Sequence, residues 1–204
     1  MKEILIATKN AGKVNDFITL LKPLGFNVLS LNDIEGDIDV EETGETFEEN
    51  AILKAETVAA LLGKVVIADD SGLEIDALQG APGVYSARFA GANKSDEANI
   101  DKVLAELNAV PEQERTARFR CVLAVAGPNI KTETFSGSCE GRITNERHGK
   151  NGFGYDPIFY VAEKECTLAE LSAEEKNAIS HRGAALVKLQ AKLPQLVTEV
   201  GNVE

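Results

Sequence analysis

Three short polar segments carry the side chains best suited to chemistry. Residues 8–13 form a Gly-containing loop that ends in Lys, at the point where an apolar run should turn into a helix. Such a turn directs backbone N–H groups and the positive end of a helix dipole at an anion. Residues 69–72 place two carboxylates and a hydroxyl after another apolar run, and residues 180–182 place a hydroxyl, an imidazole and a guanidinium side by side. Together these segments predict a metal-assisted enzyme that acts on a phosphorylated small molecule.

The loop at residues 8–13 is not a Walker A loop, which requires the pattern GxxxxGK[ST]. It is shorter than that pattern and holds one glycine. Lys13 nevertheless stands where a strand passes into a helix, which is where a phosphate would sit. The alternative is that Thr8 or Asn10 merely caps the helix and that Lys13 is solvated.

Asp69 and Asp70 follow the apolar residues 65–68, so we expect them to end a strand. Ligands of α/β sheets gather at the carboxyl ends of strands. Because adjacent strand side chains point to opposite faces, only one of the two carboxylates should reach a given site. The alternative is an Asx turn that ends the strand. An aspartyl-phosphate motif of the DxDx[TV] type is absent, because Ser71 stands where its second Asp would be.

Glu41, Glu42 and Glu45 precede a helix that the capping box of Thr46 and Glu49 predicts. Acids at this place stabilise the helix dipole, or one of them supplies a second carboxylate to Mg²⁺, which prefers hard oxygen ligands. The chemistry of the residues does not separate Glu41 from Glu42.

Two further positions and two further segments are candidates for binding. Asn50 and Lys54 lie four residues apart on the predicted helix and could face one pocket; a solvated face is the alternative. Residues 152–156 place two aromatic rings between glycines, which suits stacking on a flat heterocycle, or else forms an aromatic turn before a strand. At residues 180–182 the adjacent side chains diverge, so a Ser-His triad is not predicted, and Ser180 is alternatively the cap of the last helix.

Composition limits the class of protein. The chain has 204 residues, 44% of them hydrophobic, and we expect a single domain over residues 1–204. Its net charge of −12 disfavours a nucleic-acid partner. Three unpatterned cysteines, the lack of a signal-like N-terminus and the lack of a long apolar run predict a cytoplasmic location and no membrane contact.

The hydrophobic pattern alternates between strands and helices, which predicts a mixed α/β sheet. We expect the helix after the first strand to end near Pro23 and Gly25. We expect the next helix to end at Gly63. The predicted strands are 4–7, 26–29, 65–68, 119–126, 131–139 and 157–161, the fourth and fifth forming a hairpin; the predicted helices are 14–21, 46–62, 95–110, 168–171 and 180–193.

Taken in order, the motifs of this chain resemble those of the inosine triphosphate pyrophosphatase family, specifically its bacterial dITP/XTP branch. The resemblance covers nearly the whole chain, and as a set the motifs are highly specific. Lys9 stands where a Gly is more common in the family. The motifs are IATKNAGK at 6–13, EETG at 41–44, ENAxxKA at 49–55, ADDSGL at 68–73, GAPGVYSAR at 80–88, GFGYDP at 152–157 and SHRG at 180–183.

The resemblance implies an elongated α/β fold with a mixed sheet, flanking helices and two lobes around a central cleft, usually as a homodimer. It implies that Asp70 is the general base and a Mg²⁺ ligand, with Glu42 the preferred second ligand and Glu41 its rival. A purine nucleoside triphosphate would be the substrate, hydrolysed to a monophosphate and pyrophosphate. The residues implied to bind it are Thr8, Lys9, Asn10, Ala11, Gly12, Lys13, Lys54, Ser71, Phe153, Gly154, Tyr155, Asp156, Lys176, His181 and Arg182.

The choice among purine substrates should depend on the group at C6 of the base. Hypoxanthine and xanthine present a carbonyl at C6, to which Arg182 can donate, whereas adenine presents an amino group. How guanine is excluded does not follow from the sequence. A Maf-like nucleotide pyrophosphatase is the nearest rival and should lack the segment 180–182. A non-catalytic nucleotide sensor is the second rival and would not need Asp70.

Overall fold

Among residues 2–192, which the computed structural model describes, seven strands form one sheet accompanied by five α-helices. The strands are β1 Lys2–Ile6, β2 Phe26–Ser30, β3 Val66–Ile75, β4 Thr116–Gly127, β5 Ile130–Ile143, β6 Phe159–Val161 and β7 Cys166–Thr167. The helices are α1 Ala11–Leu21, α2 Phe47–Leu62, α3 Asp96–Glu106, α4 Ala173–Ile179 and α5 His181–Gln190.

The order of strands across the sheet is β2-β1-β3-β4-β5-β6-β7. β1 runs parallel to both β2 and β3, with Ile4 opposite Val28 and Leu5 opposite Val66. β6 runs antiparallel to β5 and to β7. The predicted mixed α/β class is therefore confirmed.

The chain divides into two compact units. The described part of the first unit comprises residues 2–70, 121–137 and 182–192, and the second unit comprises Ser71–Arg120 and Ser138–His181. Each unit has its own apolar core. The first core includes Ile6, Phe17, Ile67, Leu123 and Leu186, and the second includes Leu73, Val103, Phe119, Phe159 and Leu168.

The elements of the first unit form for local reasons. β1 is a short apolar run in which Ile4, Leu5 and Ile6 are all buried. α2 begins at the predicted capping box of Thr46 and Glu49 and ends at Gly63, which adopts φ +62°. A side chain at that φ would be strained, so glycine suits the helix end.

Several predicted boundaries were wrong. β3 does not end at Asp69 but continues to Ile75, so the two carboxylates lie within a strand and the Asx-turn interpretation fails. Residues 168–171 do not form an α-helix: Leu168–Glu170 is a single 3₁₀ turn, and the helix that follows, α4, was not predicted. The last described helix ends at Gln190; the predicted end, Leu193, lies outside the described residues.

The other predicted elements are confirmed within a few residues. β4 and β5 are neighbours in the sheet and are joined by Pro128 and Asn129 alone, which makes them the predicted hairpin. Within the described part of the chain, no helix combines the length and the apolar character that crossing a bilayer requires.

Candidate functional site

The loop after β1 is shaped by its own polar groups. The Thr8 hydroxyl accepts from the Asn10 N–H at 3.1 Å, and the Asn10 side chain accepts from the Lys13 N–H at 3.1 Å as the N-cap of α1. Asn10 is thus the predicted cap. Lys13 is not solvated, because its side chain is 16% exposed and its ammonium lies 3.2 Å from Asp69. The loop therefore holds a partly buried cation beside a helix N-terminus, as a phosphate site requires.

Lys13 is one end of a buried ionic network in the first unit. Asp69 is fully buried and contacts both the Lys13 ammonium and Arg182 Nη2, the latter at 3.0 Å. Arg182 Nη1 also contacts Asp16 at 2.5 Å, and the Arg182 side chain is 1% exposed. Burial alone would raise the pKa of Asp69, but Lys13 and Arg182 hold that pKa well below its ordinary value. Asp69 therefore stays ionised, and the network brings two basic side chains together with two acidic ones.

Asp70 has a different set of partners in the same unit. Its carboxylate accepts from Asn50 Nδ2 at 3.1 Å and lies 3.6 Å from Lys54 Nζ, which contacts Glu42 at 2.5 Å. The contacts given for Asp69 and for Asp70 thus differ, which agrees with strand alternation. Asn50 and Lys54 are both buried, so the solvated-face interpretation of α2 was wrong.

Electrostatics give Asp70 the character of a base. Burial raises its pKa above the ordinary value near 3.8, against the lowering effect of Lys54 and Lys13. For Lys54, burial lowers the pKa, but Asp70 and Glu42 outweigh it and the pKa is raised, so the ammonium stays charged. A buried carboxylate with a raised pKa beside a fixed cation can accept a proton from a bound water.

The loop that carries Glu42 is anchored to α2. The Asn50 side chain accepts from the Gly44 N–H at 2.7 Å while its amide group donates to Asp70. A Cβ atom at Gly44 would lie 2.7 Å from Asn50 Oδ1, so only glycine permits this approach. Glu42 is half-buried and touches Lys54, whereas Glu41 is exposed, which favours Glu42 as the acid of this cluster.

A second polar cluster lies in the second unit, around the loop at residues 152–156. Asp156 is 2% exposed, and its Oδ2 accepts from the Phe153 N–H at 2.9 Å and from the Lys176 ammonium at 2.7 Å. The same ammonium lies 4.6 Å from the centre of the Phe153 ring. A Cβ atom at Gly152 would lie 2.0 Å from Asp156 Oδ2, so glycine is required there. The loop therefore presents a partly exposed ring with a fixed backbone.

The other predicted residues of this cluster are more deeply placed. Tyr155 is buried, and its hydroxyl donates to the Ser86 carbonyl at 2.7 Å. His181 is 6% exposed and stacks on Phe119 with ring centres 4.9 Å apart and planes 13° from parallel. Ser180 ends α4 and directly precedes α5, where a cap of the last helix would stand, and its hydroxyl donates to the Asn177 carbonyl at 3.4 Å.

The structure distributes the predicted site residues over three groups. Lys13 and Arg182 meet in the ionic network, Lys54 and Glu42 meet at Asp70, and Phe153, Asp156 and Lys176 meet in the second unit. Lys9 is exposed and contacts Asp37 at 2.6 Å, and Ser71 follows Asp70 in β3 and is half-buried. The remaining loop positions are Thr8, Asn10, Ala11 and Gly12 at the start of α1 and Gly154 at φ +61°.

Sequence reasoning missed Asp16 and left open whether Asn50 faces a pocket or solvent. Asp16 lies one helical turn after Lys13 and on the same face, which is a signal that the sequence offers. Asn50 is fully buried, and its position within an apolar helical stripe offered the corresponding signal.

Comparison with known proteins gives consistent matches over nearly the full chain. A model of the Ham1 family matches residues 4–192. The dITP/XTP pyrophosphatase of Bacillus licheniformis is 58% identical over 195 residues, which cover 96% of this chain and 100% of that protein. The dITP/XTP pyrophosphatase of Bacillus subtilis is 58% identical over 193 residues, covering 95% and 98% respectively.

Solved structures agree with these relatives. The structure of the Staphylococcus aureus Ham1 protein is 52% identical with a TM-score of 0.84, and the match covers 95% of this chain and 99% of that one. The nucleoside-triphosphatase, or dITP/XTP pyrophosphatase, of Mycobacterium abscessus is 40% identical with a TM-score of 0.73, covering 92% and 97%.

Proposed function

This chain belongs to the Ham1 family, and we propose that it hydrolyses ITP, dITP and XTP to the nucleoside monophosphate and pyrophosphate, cleaning the nucleotide pool. The observation that carries the proposal is its 58% identity, over at least 95% of the chain, to relatives named dITP/XTP pyrophosphatases. The family agrees with the one that the sequence motifs resemble. The polar cluster within each unit supports this hydrolysis.

In the first unit, we assign the triphosphate to the loop of residues 8–13 and to Lys54. A nucleoside triphosphate carries about four negative charges, whereas the chain has a net charge of −12. A local excess of positive potential must therefore come from Lys13, Lys54 and the N-terminus of α1. The partial burial of both lysines supports this role, because burial strengthens their interaction with an anion.

Glu42 and Asp70 are the residues that would hold Mg²⁺. Both carboxylates contact the Lys54 ammonium, so they are already directed at a common cation. Mg²⁺ is usually bound by one or two carboxylates together with substrate phosphates, and Glu42 and Asp70 would supply two. When bound, Mg²⁺ neutralises phosphate charge and lowers the pKa of a bound water.

Asp70 acts as the general base in this proposal. Its carboxylate takes a proton from the water that attacks the α-phosphorus, the bond to the bridging oxygen breaks, and pyrophosphate leaves. The hydrogen bond from Asn50 orients one carboxylate oxygen. The raised pKa makes Asp70 a stronger base than an exposed aspartate.

In the second unit, we assign the purine ring to Phe153 and the polar groups around it. The ring is partly exposed and its backbone is fixed by Asp156, which suits stacking. Lys176 and His181 are the side chains of this unit that we expect to read the base. Tyr155 and Gly154 shape the loop. Each of these roles is supported by the family resemblance and by burial.

Arg182 remains our predicted reader of the C6 carbonyl. Two N–H groups of its guanidinium contact Asp16 and Asp69. The resemblance also implies a homodimer, which light scattering of the purified protein would test, and a cytoplasmic location.

Product analysis tests the proposed function. Purified protein with Mg²⁺ should convert ITP to IMP and pyrophosphate in equal amounts, and the Asp70→Asn variant should not. Release of IDP and orthophosphate would identify a different phosphatase. Preference for pyrimidine nucleotides would favour the Maf-like rival, and tight ITP binding without turnover would favour a nucleotide sensor.

A further inference from the structure

Asp96 belongs to none of the sequence motifs, yet it holds the loop of residues 152–156. Its Oδ2 accepts from the Gly154 N–H at 2.8 Å, although the two residues are 58 positions apart in the chain. Asp96 is the first residue of α3, and the helix is capped by Ser95. A carboxylate at that position interacts favourably with the helix dipole.

The contact to Asp96 is one of three that fix consecutive residues of this loop. Asp156 accepts from the Phe153 N–H, Asp96 accepts from the Gly154 N–H, and the Tyr155 hydroxyl donates to the second unit's own backbone at Ser86. Burial raises the pKa of Tyr155, and the charge of Asp96 raises it further. The peptide between Phe153 and Gly154 is therefore held by a hydrogen bond to α3.

The loop needs such a hold because its conformation is costly. Gly152 and Gly154 both adopt positive φ, +74° and +61°. Glycine reaches these angles without steric strain but gives up more backbone freedom on ordering than any other residue. On the C-terminal side of Phe153, its carbonyl accepts from the Asp156 N–H at 3.3 Å, and the Asp96 contact adds a hold from outside the loop through the Gly154 N–H.

We propose that Asp96 is a positioning residue that fixes the Phe153 ring for stacking on the base of the substrate. The inference rests on the proposed function, since it assigns Phe153 to the base. Asp96 itself touches neither substrate nor metal in this proposal. Its effect should therefore appear in binding of ligands that contain a base and not in the chemical step.

Glu97 provides a matched control. It is also an exposed acid in the first turn of α3, and it pairs with Arg147 at 3.1 Å instead of contacting the loop. Replacing either acid by Ala removes one negative charge from the same helix end and introduces a good helix former. Asp96→Asn is the conservative variant, because its carboxamide retains an acceptor oxygen.

The experiment measures steady-state kinetics on ITP and inhibition by IMP and by pyrophosphate. Asp96→Ala should raise the KM for ITP about fivefold with kcat within about twofold, in line with the loss of one solvent-exposed hydrogen bond of ordinary net strength. Inhibition by IMP should weaken equally, whereas inhibition by pyrophosphate, which has no base, should not change. Asp96→Asn should recover most of the KM, and Glu97→Ala should match the wild type.

A second readout is the Gly154 amide in a ¹⁵N–¹H NMR spectrum. Its resonance should shift and its hydrogen exchange should accelerate in Asp96→Ala but not in Glu97→Ala. Equal kinetics of Asp96→Ala and Glu97→Ala, or a fall in kcat with unchanged KM, would overturn the positioning role. Absence of ITP hydrolysis in the wild type would instead overturn the proposed function, so the two failures are distinguishable.

Discussion

Replacing Arg182 by Met should destabilise the first unit strongly. The change removes a guanidinium whose side chain is 1% exposed and leaves the carboxylates of Asp16 and Asp69, with side-chain exposures of 12% and 0%, in place. Breaking a buried pair by removing one partner costs about 3–5 kcal/mol. Asp69 keeps Lys13 at 3.2 Å, so we expect a loss of about 3–4 kcal/mol, toward the lower end of that range.

Arg118 is the matched control for this variant. It also bridges two carboxylates, Asp76 at 2.9 Å and Glu140 at 3.0 Å, but all three side chains are substantially exposed. Exposed ion pairs contribute about 0–1 kcal/mol, so Arg118→Met should have a small effect. Arg182 and Arg118 each contact two carboxylates, but Arg182 is buried and Arg118 is more exposed.

Urea unfolding followed by circular dichroism, together with thermal unfolding, measures both variants. At about 2–4 °C per kcal/mol for a chain of this length, Arg182→Met should lower Tm by roughly 6–16 °C and Arg118→Met by a few degrees at most. Adding Asp16→Asn and Asp69→Asn to Arg182→Met should recover part of the loss, because no buried carboxylate is then left without its guanidinium. Equal losses for Arg182→Met and Arg118→Met would refute the ionic network as a source of stability.

The same variant tests base recognition. If Arg182 donates to the C6 carbonyl, Arg182→Met should cost about 1–3 kcal/mol in transition-state binding of ITP, and the ratio of kcat/KM for ITP to that for ATP should fall. The measurement is made well below the lowered Tm. An unchanged ratio would assign Arg182 to the framework around Lys13 and transfer base reading to the second unit.

Four further variants test the cluster around Asp70. Asp70→Asn should lower kcat at least about 10²-fold with little change in Tm, because it removes the proton acceptor; near-normal turnover would exclude Asp70 as the base. Activity should rise with pH as Asp70 loses its proton, at a pH set by its raised pKa. Because Lys54 lowers the pKa of Asp70, Lys54→Met should move the acid limb of the pH–kcat/KM profile to higher pH. A shift of that limb to lower pH would contradict the contact between Lys54 and Asp70. Glu42→Gln should raise the Mg²⁺ concentration needed for half-maximal activity more than Glu41→Gln, with EDTA abolishing activity in all of them; the reverse order would exchange the two acids.

The sequence predicted the fold class and most elements because their causes are local. The apolar run of β1 and the capping box of α2 are read from neighbouring residues, and both are confirmed. The same kind of signal was available for α4, where Ser172 and Glu175 form a capping box that sequence reasoning overlooked.

The length of β3 could not be read in this way. Its apolar run stops before Asp69, yet the strand continues because the charges there are compensated by partners distant in sequence. Arg182 contacts Asp69 across 113 positions and Asp16 across 166. A buried charge is acceptable only with such a partner, and periodicity contains no information about partners so far away.

The motifs identified the candidate site residues, but they did not show which of these residues contact one another. The motifs named Lys54, Asp70 and Glu42, and the structure adds that one ammonium contacts both carboxylates. Asp96 belongs to no motif, and its link to Gly154 depends on how α3 packs within the second unit. Such positioning contacts arise from tertiary structure alone.

The most direct test of the proposed function compares substrates under one set of conditions. We would measure kcat/KM for pyrophosphate release from ITP, dITP, XTP, GTP and ATP with purified protein and Mg²⁺, using Asp70→Asn as the blank. The account predicts that ITP, dITP and XTP are cleaved at least about 10²-fold more efficiently than ATP, since a site built to donate to a carbonyl leaves its donors unpaired against an amino group. Equal efficiency toward ATP, or equal pyrophosphate release by Asp70→Asn, would contradict it.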